Sequence, residues 1–225
     1  MVKLVIALLL SAIISYLLGS INSAIIVVRL LFKDDVRNYG SKNAGLTNTL
    51  RCFGKKAALF TLIGDLLKGV IAVIISRGIF NLLGVGYGAE HSTIFVGYIA
   101  GFCAIIGHIL PIYYGFKGGK GVLVSASILL VIDPLTFCIV IPFFALMLAI
   151  TKYVSLSSIL SAIAYPVITF LTQYFIRGWS MDMVILHTVL VIGTSILLIY
   201  MHRSNIERLK NGTENKFSFN SAKKK

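Results

Sequence analysis

The sequence predicts an all-α polytopic membrane protein with about seven transmembrane helices. Of its 225 residues, 57% are hydrophobic and only 13% are charged, whereas soluble domains are roughly half apolar and a quarter charged. The apolar residues are gathered into runs separated by polar, basic loops, which is the pattern of a chain that crosses a bilayer repeatedly. We therefore expect one integral-membrane domain over residues 1–225, with residues 215–225 as a frayed basic tail.

Seven apolar runs are the candidate spans. The first shows no convincing small-x-small cleavage site, so we expect an uncleaved span and not a signal peptide. The fourth and fifth are predicted to be short, since a helix over 122–132 reaches only about 16 Å against a hydrocarbon core of about 30 Å. The runs are 4–32, 57–75, 91–113, 122–132, 135–150, 156–176 and 183–201.

Basic residues predict the orientation of these spans. Residues 33–56 carry six lysines and arginines and residues 203–225 carry seven, whereas 77–90 and 177–182 carry one each. The positive-inside rule puts the first two segments in the cytosol, so the N-terminus lies outside and the C-terminus inside. That parity requires residues 122–150 to form two spans joined at Asp133 and Pro134, or a dip that returns to the same side of the membrane.

Composition also excludes several kinds of site. The formal net charge of +13 does not indicate nucleic-acid binding, because basic loops beside membrane spans are explained by topology and by anionic lipid headgroups. The three cysteines are widely spaced and form no CxxC pair, so neither a disulfide framework nor a cysteine metal site is predicted. Four dispersed histidines without a carboxylate at ligand spacing make a metal centre unexpected.

The glycine-lysine loop, residues 115–122, lies between two apolar runs and reads Gly-Phe-Lys-Gly-Gly-Lys-Gly-Val. Its glycines allow backbone N–H groups to converge on an anion, and Lys117 and Lys120 add full charges. A nucleotide P-loop is excluded, because the positions that need glycine and Ser or Thr hold Tyr114 and Gly121. A flexible turn with lysines at the headgroups is the alternative that the loop alone leaves open.

Two further polar segments, 40–51 and 202–214, lie on the same predicted face as this loop. Arginines can bind phosphate through two hydrogen bonds, a lysine adds a point charge, and hydroxyl and amide groups orient the anion. Headgroup contact is the alternative for each basic residue, and a capped turn is the alternative for the neutral set. The candidates of these types are Arg51, Arg208, Lys120, Ser41, Thr47, Asn48 and Asn205.

Four ionisable residues outside these sets carry further expectations. His202 lies where the last span meets water, and it can accept a proton or hydrogen-bond a phosphate. Asp65 and Lys68 are three residues apart in the second span, hence on one helix face, and we expect an ion pair rather than a substrate contact. His108 is predicted to be a packed histidine, with a supporting role near the site as the alternative.

Taken together, the motifs resemble the bacterial acyl-phosphate:glycerol-3-phosphate acyltransferases of the PlsY type. The first motif reads Gly-Ser-x-Asn-x-Gly-x-Thr-Asn-x-x-Arg over 40–51, and the second reads Gly-His-x-x-Pro followed by Phe-Lys-Gly-Gly-Lys-Gly-Val over 107–122. The third reads His-Arg-x-Asn-Ile-x-Arg-Leu-x-x-Gly-x-Glu over 202–214. An Asp-x-x-Lys-Gly over 65–69 also matches the second span of that family.

The resemblance implies transfer of a fatty acyl group from acyl phosphate to glycerol 3-phosphate at the cytosolic face of the bacterial plasma membrane. It implies membrane lipid as the surroundings and neither acyl-CoA nor a metal or other cofactor. Ser41, Asn205 and His202 are the implied catalytic residues. The implied substrate-binding residues are Ser41, Asn43, Thr47, Asn48, Arg51, Gly118, Gly119, Lys120, Gly121, His202, Asn205 and Arg208.

This chain departs from the family pattern at two places. Leu123 and Val124 stand where Ala-Thr is usual, which removes a hydroxyl beside the glycine-lysine loop, and Lys42 stands where glycine is usual. Two rival functions remain. A transporter would place its binding charges near the membrane midplane, where only Asp65 and Lys68 are expected. A scaffold that recruits partners through a basic face leaves the Ser, Asn and Thr pattern unexplained.

Overall fold

The computed structural model of the protein describes residues 2–85 and 90–218, with the backbone alone for 90–93. The regular structure in these ranges is entirely helical, as predicted. Short 3-10 turns cover Val36–Asn38 and Ile112–Tyr114, and a π-helical turn covers Thr172–Ile176. The helices are α1 Val2–Ser20, α2 Ser23–Phe32, α3 Leu46–Leu82, α4 Glu90–Ile109, α5 Val122–Ile132, α6 Pro134–Thr151, α7 Val154–Leu171, α8 Met181–Met201 and α9 Arg203–Lys210.

Six stretches of the described chain are long and apolar enough to cross a membrane, and α5 is a seventh, shorter apolar helix. Each predicted run matches one of these segments. The fourth is short as predicted, at 11 residues, but the fifth is an 18-residue helix, so the prediction of a short fifth span is wrong. Large apolar side chains such as Leu9, Ile74 and Ile163 are exposed on the helix surfaces, because lipid takes the place of water around them.

The first apolar run, predicted as a single span, consists of two helices. α1 ends at Ser20 and α2 begins at Ser23. Asn22 caps α2 by accepting a hydrogen bond from the N–H of Ile25 at 3.1 Å, a use for which asparagine is well suited. The carbonyl of Ile21 at this break accepts a hydrogen bond from Lys68 Nζ at 2.9 Å.

Helix α3 begins eleven residues before the predicted span, which was expected at 57. Residues 46–53 form a short helical segment that ends in a kink at Gly54, where φ is 83° and ψ is −177°. A positive φ of this kind favours glycine, because other residues carry a Cβ that clashes there. Thr47 and Arg51 therefore lie one turn apart on a helix face and not in the predicted turn-rich loop.

Two compact units divide the chain. The first comprises residues 1–131 with 218–225, and the second comprises residues 132–217. In the first unit, α1 packs against α3 and α4, and α3 also packs against α2 and α4. In the second unit, α7 lies between α6 and α8 and contacts α9. The first unit thus holds the first two motifs, and the second unit holds the third.

A buried polar network organises one end of the second unit. Asp133 is fully buried and caps α6 by accepting a hydrogen bond from the N–H of Thr136 at 3.2 Å. Its carboxylate also accepts hydrogen bonds from Gln173 at 3.0 Å and from Arg177 at 3.2 Å. The predicted break at Asp133 and Pro134 is confirmed, since α5 ends at Ile132 and α6 begins at Pro134.

Candidate active site

The loop that carries Ser41 is shaped by the side chain of Asn48. Asn48 is 1% exposed, and its Oδ1 accepts a hydrogen bond from the N–H of Ser41 at 3.0 Å. Its Nδ2 donates to the carbonyls of Val36 at 3.1 Å and Tyr39 at 3.0 Å. Asn48 therefore holds the loop that presents the exposed Ser41, a use that the sequence did not predict. Direct contact between Asn48 and a substrate stays a prediction.

Lys42 occupies a left-handed backbone conformation, with φ 56°. Non-glycine residues adopt this region rarely because the Cβ crowds the backbone. The glycine usual in the resembled family fits the same conformation without that cost. The Lys42 departure therefore places a backbone strain, together with a charge, immediately after Ser41.

Three backbone N–H groups of the glycine-lysine loop donate hydrogen bonds to carbonyls at the end of α4 and at Pro111, just after it. Phe116 donates to the carbonyl of Pro111 at 3.0 Å, Gly118 to Ile109 at 3.1 Å and Gly119 to His108 at 3.0 Å. The expectation that the loop amides converge on an anion is wrong for these three. The chain then passes through Lys120 into the start of α5, where helix geometry leaves the first N–H groups without a partner inside the helix.

The first motif and the glycine-lysine loop are in direct contact within the first unit. The N–H of Ala44 donates to the carbonyl of Gly118 at 3.4 Å, and Asn22 Nδ2 donates to the carbonyl of Ala44 at 3.2 Å. A Cβ at position 119 would lie 2.7 Å from that Ala44 oxygen. The loop therefore needs glycine at this contact, and the segments that bear Ser41 and Lys120 are held side by side.

A buried charged cluster lies beneath this contact. Lys68 Nζ is 2.8 Å from Asp65 Oδ1, which confirms the predicted ion pair. It is also 2.8 Å from His108 Nδ1. Because a charged ammonium only donates, His108 Nδ1 accepts and the proton of the neutral ring lies on Nε2. A Cβ at Gly119 would overlap that Nε2, so His108, predicted to be packed, directly supports the loop.

His202 lies at the end of α8 in the second unit and is 4% exposed. Its Nδ1 is 2.8 Å from the carbonyl oxygen of Leu198. Since a carbonyl only accepts, Nδ1 carries the proton, and Nε2 is the ring nitrogen with the lone pair. A backbone carbonyl thus orients this imidazole, in the way that a carboxylate does in a Ser-His-Asp arrangement.

Glu214 organises the rest of the third motif, a role that was not predicted from the sequence. Its Oε1 accepts hydrogen bonds from Asn205 Nδ2 at 2.9 Å and Ser155 Oγ at 3.0 Å, and its Oε2 accepts from Arg208 Nε at 2.7 Å. Partial burial raises the pKa of Glu214, but the hydrogen bonds from Arg208, Asn205 and Ser155 outweigh it and hold the pKa below its usual value. Asn205 and Arg208 are therefore fixed by a common carboxylate.

The predicted site residues thus divide between the two units. The first unit brings together the segments that carry Ser41, Asn43, Thr47, Asn48, Arg51 and residues 118–121. His202, Asn205 and Arg208 belong to the second unit, and their approach to the first set stays a prediction. Within residues 2–85 and 94–218, whose side chains the structure describes, no three His, Cys, Asp or Glu side chains are grouped so that they could hold a metal ion.

Comparison with known proteins identifies the family. The sequence model described as glycerol-3-phosphate acyltransferase matches residues 9–212. The chain belongs to this family. A glycerol-3-phosphate acyltransferase of Chlorobaculum tepidum is 39% identical over 220 residues, which cover 92% of this chain and 95% of the relative. One of Clostridioides difficile is 40% identical over 205 residues, covering 91% and 93% respectively.

Two solved structures of a family member have the same fold. A crystal structure of PlsY, an integral membrane glycerol 3-phosphate acyltransferase, in its glycerol 3-phosphate form superposes with a TM-score of 0.75 at 31% identity. The form of the same enzyme with lysophosphatidic acid gives a TM-score of 0.73 at 30% identity. Both comparisons cover 94% of this chain and 96% of the solved chain. The recognition of the PlsY type from the three motifs is confirmed.

Proposed function

We propose that this protein transfers a fatty acyl group from acyl phosphate to the 1-hydroxyl of glycerol 3-phosphate, at the cytosolic face of the bacterial plasma membrane. The products are lysophosphatidic acid and inorganic phosphate. The observation that carries the proposal is the contact between Ala44 and Gly118, which holds the Ser41 loop beside the loop of Lys120. Membership of the glycerol-3-phosphate acyltransferase family supports the acceptor and the product.

The reaction requires two anions that repel each other to be aligned. The hydroxyl oxygen attacks the acyl carbonyl carbon, a new C–O ester bond forms, and the bond between that carbon and the phosphate oxygen breaks. Phosphate is a good leaving group, so the protein contributes mainly alignment and charge neutralisation. Lys120 and Arg51 neutralise phosphate charge, and Ser41, Asn43 and Thr47 supply polar groups at the same loop contact.

His202 positions the acceptor hydroxyl through Nε2. The hydrogen bond from Nδ1 to the Leu198 carbonyl fixes the ring so that Nε2 is the acceptor. The hydroxyl proton ends on the released phosphate, either directly or by way of Nε2, and atoms and charge balance in both cases. Asn205, held by Glu214, and Arg208 orient the substrate beside His202. The acyl chain stays in lipid, along the exposed apolar helix surfaces.

A direct assay tests this proposal. The purified protein, in detergent or in vesicles, is given acyl phosphate and labelled glycerol 3-phosphate without CoA or divalent metal. We expect labelled lysophosphatidic acid, and we expect Lys120→Ala to lower kcat at least about tenfold because a full charge near the transferred group is lost. Lys55→Ala, an exposed lysine of the same unit, is the matched control and should retain activity. A folded protein that forms no product refutes the proposal. Transport of an anionic solute without any acyl transfer would favour the rival transporter function instead.

A further inference from the structure

Arg37 links the first cytosolic segment to the glycine-lysine loop. Its Nη1 donates to the carbonyl oxygens of Tyr114 at 2.8 Å and Lys117 at 3.1 Å. Its Nε and Nη2 donate to the two carboxylate oxygens of Asp35 at 2.9 Å and 2.8 Å. The guanidinium of an arginine that bound only lipid headgroups would donate its hydrogen bonds to phosphate. The Arg37 guanidinium instead makes four hydrogen bonds to the protein.

Asp35 fixes the direction of that guanidinium. The two parallel hydrogen bonds form the fork geometry that arginine and carboxylate share, which is stronger and more directional than a single contact. Asp35 also accepts a hydrogen bond from the backbone N–H of Arg37 at 3.0 Å, so it caps the Val36–Asn38 turn. The hydrogen bond from Arg37 lowers the pKa of Asp35 to about 2, so the carboxylate is charged at every working pH.

The two bound carbonyls enclose a turn that is costly to maintain. Gly115 has φ 66° and Phe116 has φ 58°. The left-handed conformation of Phe116 is strained, and such conformations persist only where surrounding contacts hold them. Arg37 supplies a contact on each side of this turn, at Tyr114 and at Lys117. Lys120 follows three residues after the second of these contacts.

We propose that Asp35 and Arg37 form a clamp that positions the glycine-lysine loop, and through it Lys120, against the loop that carries Ser41. Arg37 is a positioning residue, since it acts on the reaction through Lys120 and not by touching the substrate. The catalytic consequence of the clamp rests on the proposed function, whereas its effect on the loop does not. The nearby Arg29 also binds Asp35, at 3.1 Å, and its Cζ lies 5.5 Å from the centre of the Tyr114 ring, so Arg29 contacts the clamp as well.

The test compares Arg37→Lys with the matched control Lys33→Arg, at an exposed lysine two residues before Asp35, in the full-length protein. Lysine keeps the charge but cannot reproduce the fork or bind both carbonyls while it holds Asp35. We expect the N–H groups of Gly118 and Gly119 in Arg37→Lys to exchange with solvent deuterium at least about tenfold faster, because charge-assisted hydrogen bonds are lost. We also expect kcat to fall about tenfold, with thermal unfolding close to that of the parent. Lys33→Arg should match the parent in all three measurements.

Different outcomes separate the clamp from the proposed function. Unchanged exchange at Gly118 and Gly119 in Arg37→Lys overturns the clamp, whatever the activity. Faster exchange with an unchanged kcat overturns its link to Lys120. If the parent protein makes no lysophosphatidic acid, the proposed function fails, but the exchange measurement still tests the clamp. Asp35→Asn keeps the shape and the cap while it weakens the fork, so it serves as the second variant if Arg37→Lys does not fold.

Discussion

Two buried histidines carry their protons on opposite ring nitrogens. His108 accepts at Nδ1 from Lys68, so its Nε2–H lies against Gly119. His202 donates from Nδ1 to the Leu198 carbonyl, so its Nε2 is an acceptor. The same side chain is therefore used as a fixed support in one place and as a hydrogen-bond acceptor in the other, and the partner of Nδ1 decides which.

Gly119→Ala should disable the enzyme without unfolding it. The added Cβ would overlap His108 Nε2 and lie 2.7 Å from the carbonyl oxygen of Ala44, so the loop that carries Lys120 must move. Displacements of about 1 Å in a positioning element cost roughly a hundredfold in rate. We expect kcat for lysophosphatidic acid formation to fall at least about tenfold, measured beside the thermal unfolding of the same sample.

Gly78→Ala is the matched control for this substitution. Gly78 lies in α3 of the same unit, and a Cβ there would meet no described atom within 4 Å. Alanine favours a helix over glycine by about 1 kcal/mol, so stability should be equal or slightly higher and activity unchanged. Parental kcat in Gly119→Ala would contradict the loop contact.

Residue types indicated the candidate site residues, but they did not indicate which neighbours hold those residues in place. Ser41, Lys120 and His202 were named from their motifs. The supporting roles of Asn48, Glu214 and Arg37 were not, because the sequence does not show which polar groups the folded loops bring together. Arg37 binds a carbonyl 77 residues away, and in the sequence it read only as one of several cytosolic positive charges. Glu214 carried a signal, since it is an acidic residue that ends a basic motif.

Hydropathy predicted helix boundaries correctly only where glycine, proline or a capping residue lay beside them. α5 was predicted to the residue, because Gly121 precedes it and Asp133 and Pro134 follow it. The helical segment of α3 before Gly54 was missed, because its polar residues read as a loop. The break between α1 and α2 was missed as well, because a single Asn22 in an apolar run does not reveal that it caps a new helix.

Helix α9 and the segment after it should depend on the charge of Glu214. Glu214→Gln weakens three hydrogen bonds, so we expect a lower melting temperature at neutral pH, with residues 203–214 opening first in hydrogen exchange. The folded-state pKa lies below the ordinary value of 4.5. The stabilisation is therefore present above that ordinary value and is lost as pH falls through the folded-state pKa.

A pH series from neutral to acidic conditions checks this prediction. The difference in melting temperature between the parent and Glu214→Gln should be constant near neutrality and shrink in acid. Glu207→Gln removes an exposed carboxylate from α9, the helix that precedes Glu214, and should leave the melting temperature unchanged. An equal effect of both substitutions would show that net charge, and not the bonds of Glu214, is responsible.

At the scale of the whole molecule, the orientation in the membrane is testable by labelling. With the native cysteines replaced by serine, Lys117→Cys and Asn211→Cys should react with an impermeant thiol reagent only from the cytosolic side. Both positions are exposed, and both lie in segments that the positive-inside rule assigns to the cytosol. External labelling at either position would refute the predicted orientation.

Hydropathy and charge predicted the helical class and the number of apolar segments, and three sequence motifs indicated the family. They did not predict the division into two compact units, and the approach of the His202 motif to the Lys120 loop stays a prediction. Membrane helices are selected first for an apolar surface toward lipid, so their sequences report that surface more clearly than they report which helix packs on which. Packing within each unit depends on contacts far apart in the chain.

Because the helix is broken at Ile21 and Asn22, the backbone there needs a hydrogen bond from the charged side chain of Lys68 inside the bilayer. In hydrocarbon there is no water to satisfy a carbonyl released from a helix, and the Ile21 oxygen is satisfied by Lys68 Nζ. Replacing Lys68 alone removes the hydrogen-bond donor of that carbonyl and the ion-pair partner of Asp65. Restoring a continuous helix through residues 21–22 alone removes an acceptor from the buried Lys68 ammonium. The effects of the two changes on stability are consequently non-additive, and the double variant should lose less stability than the sum of the two single losses.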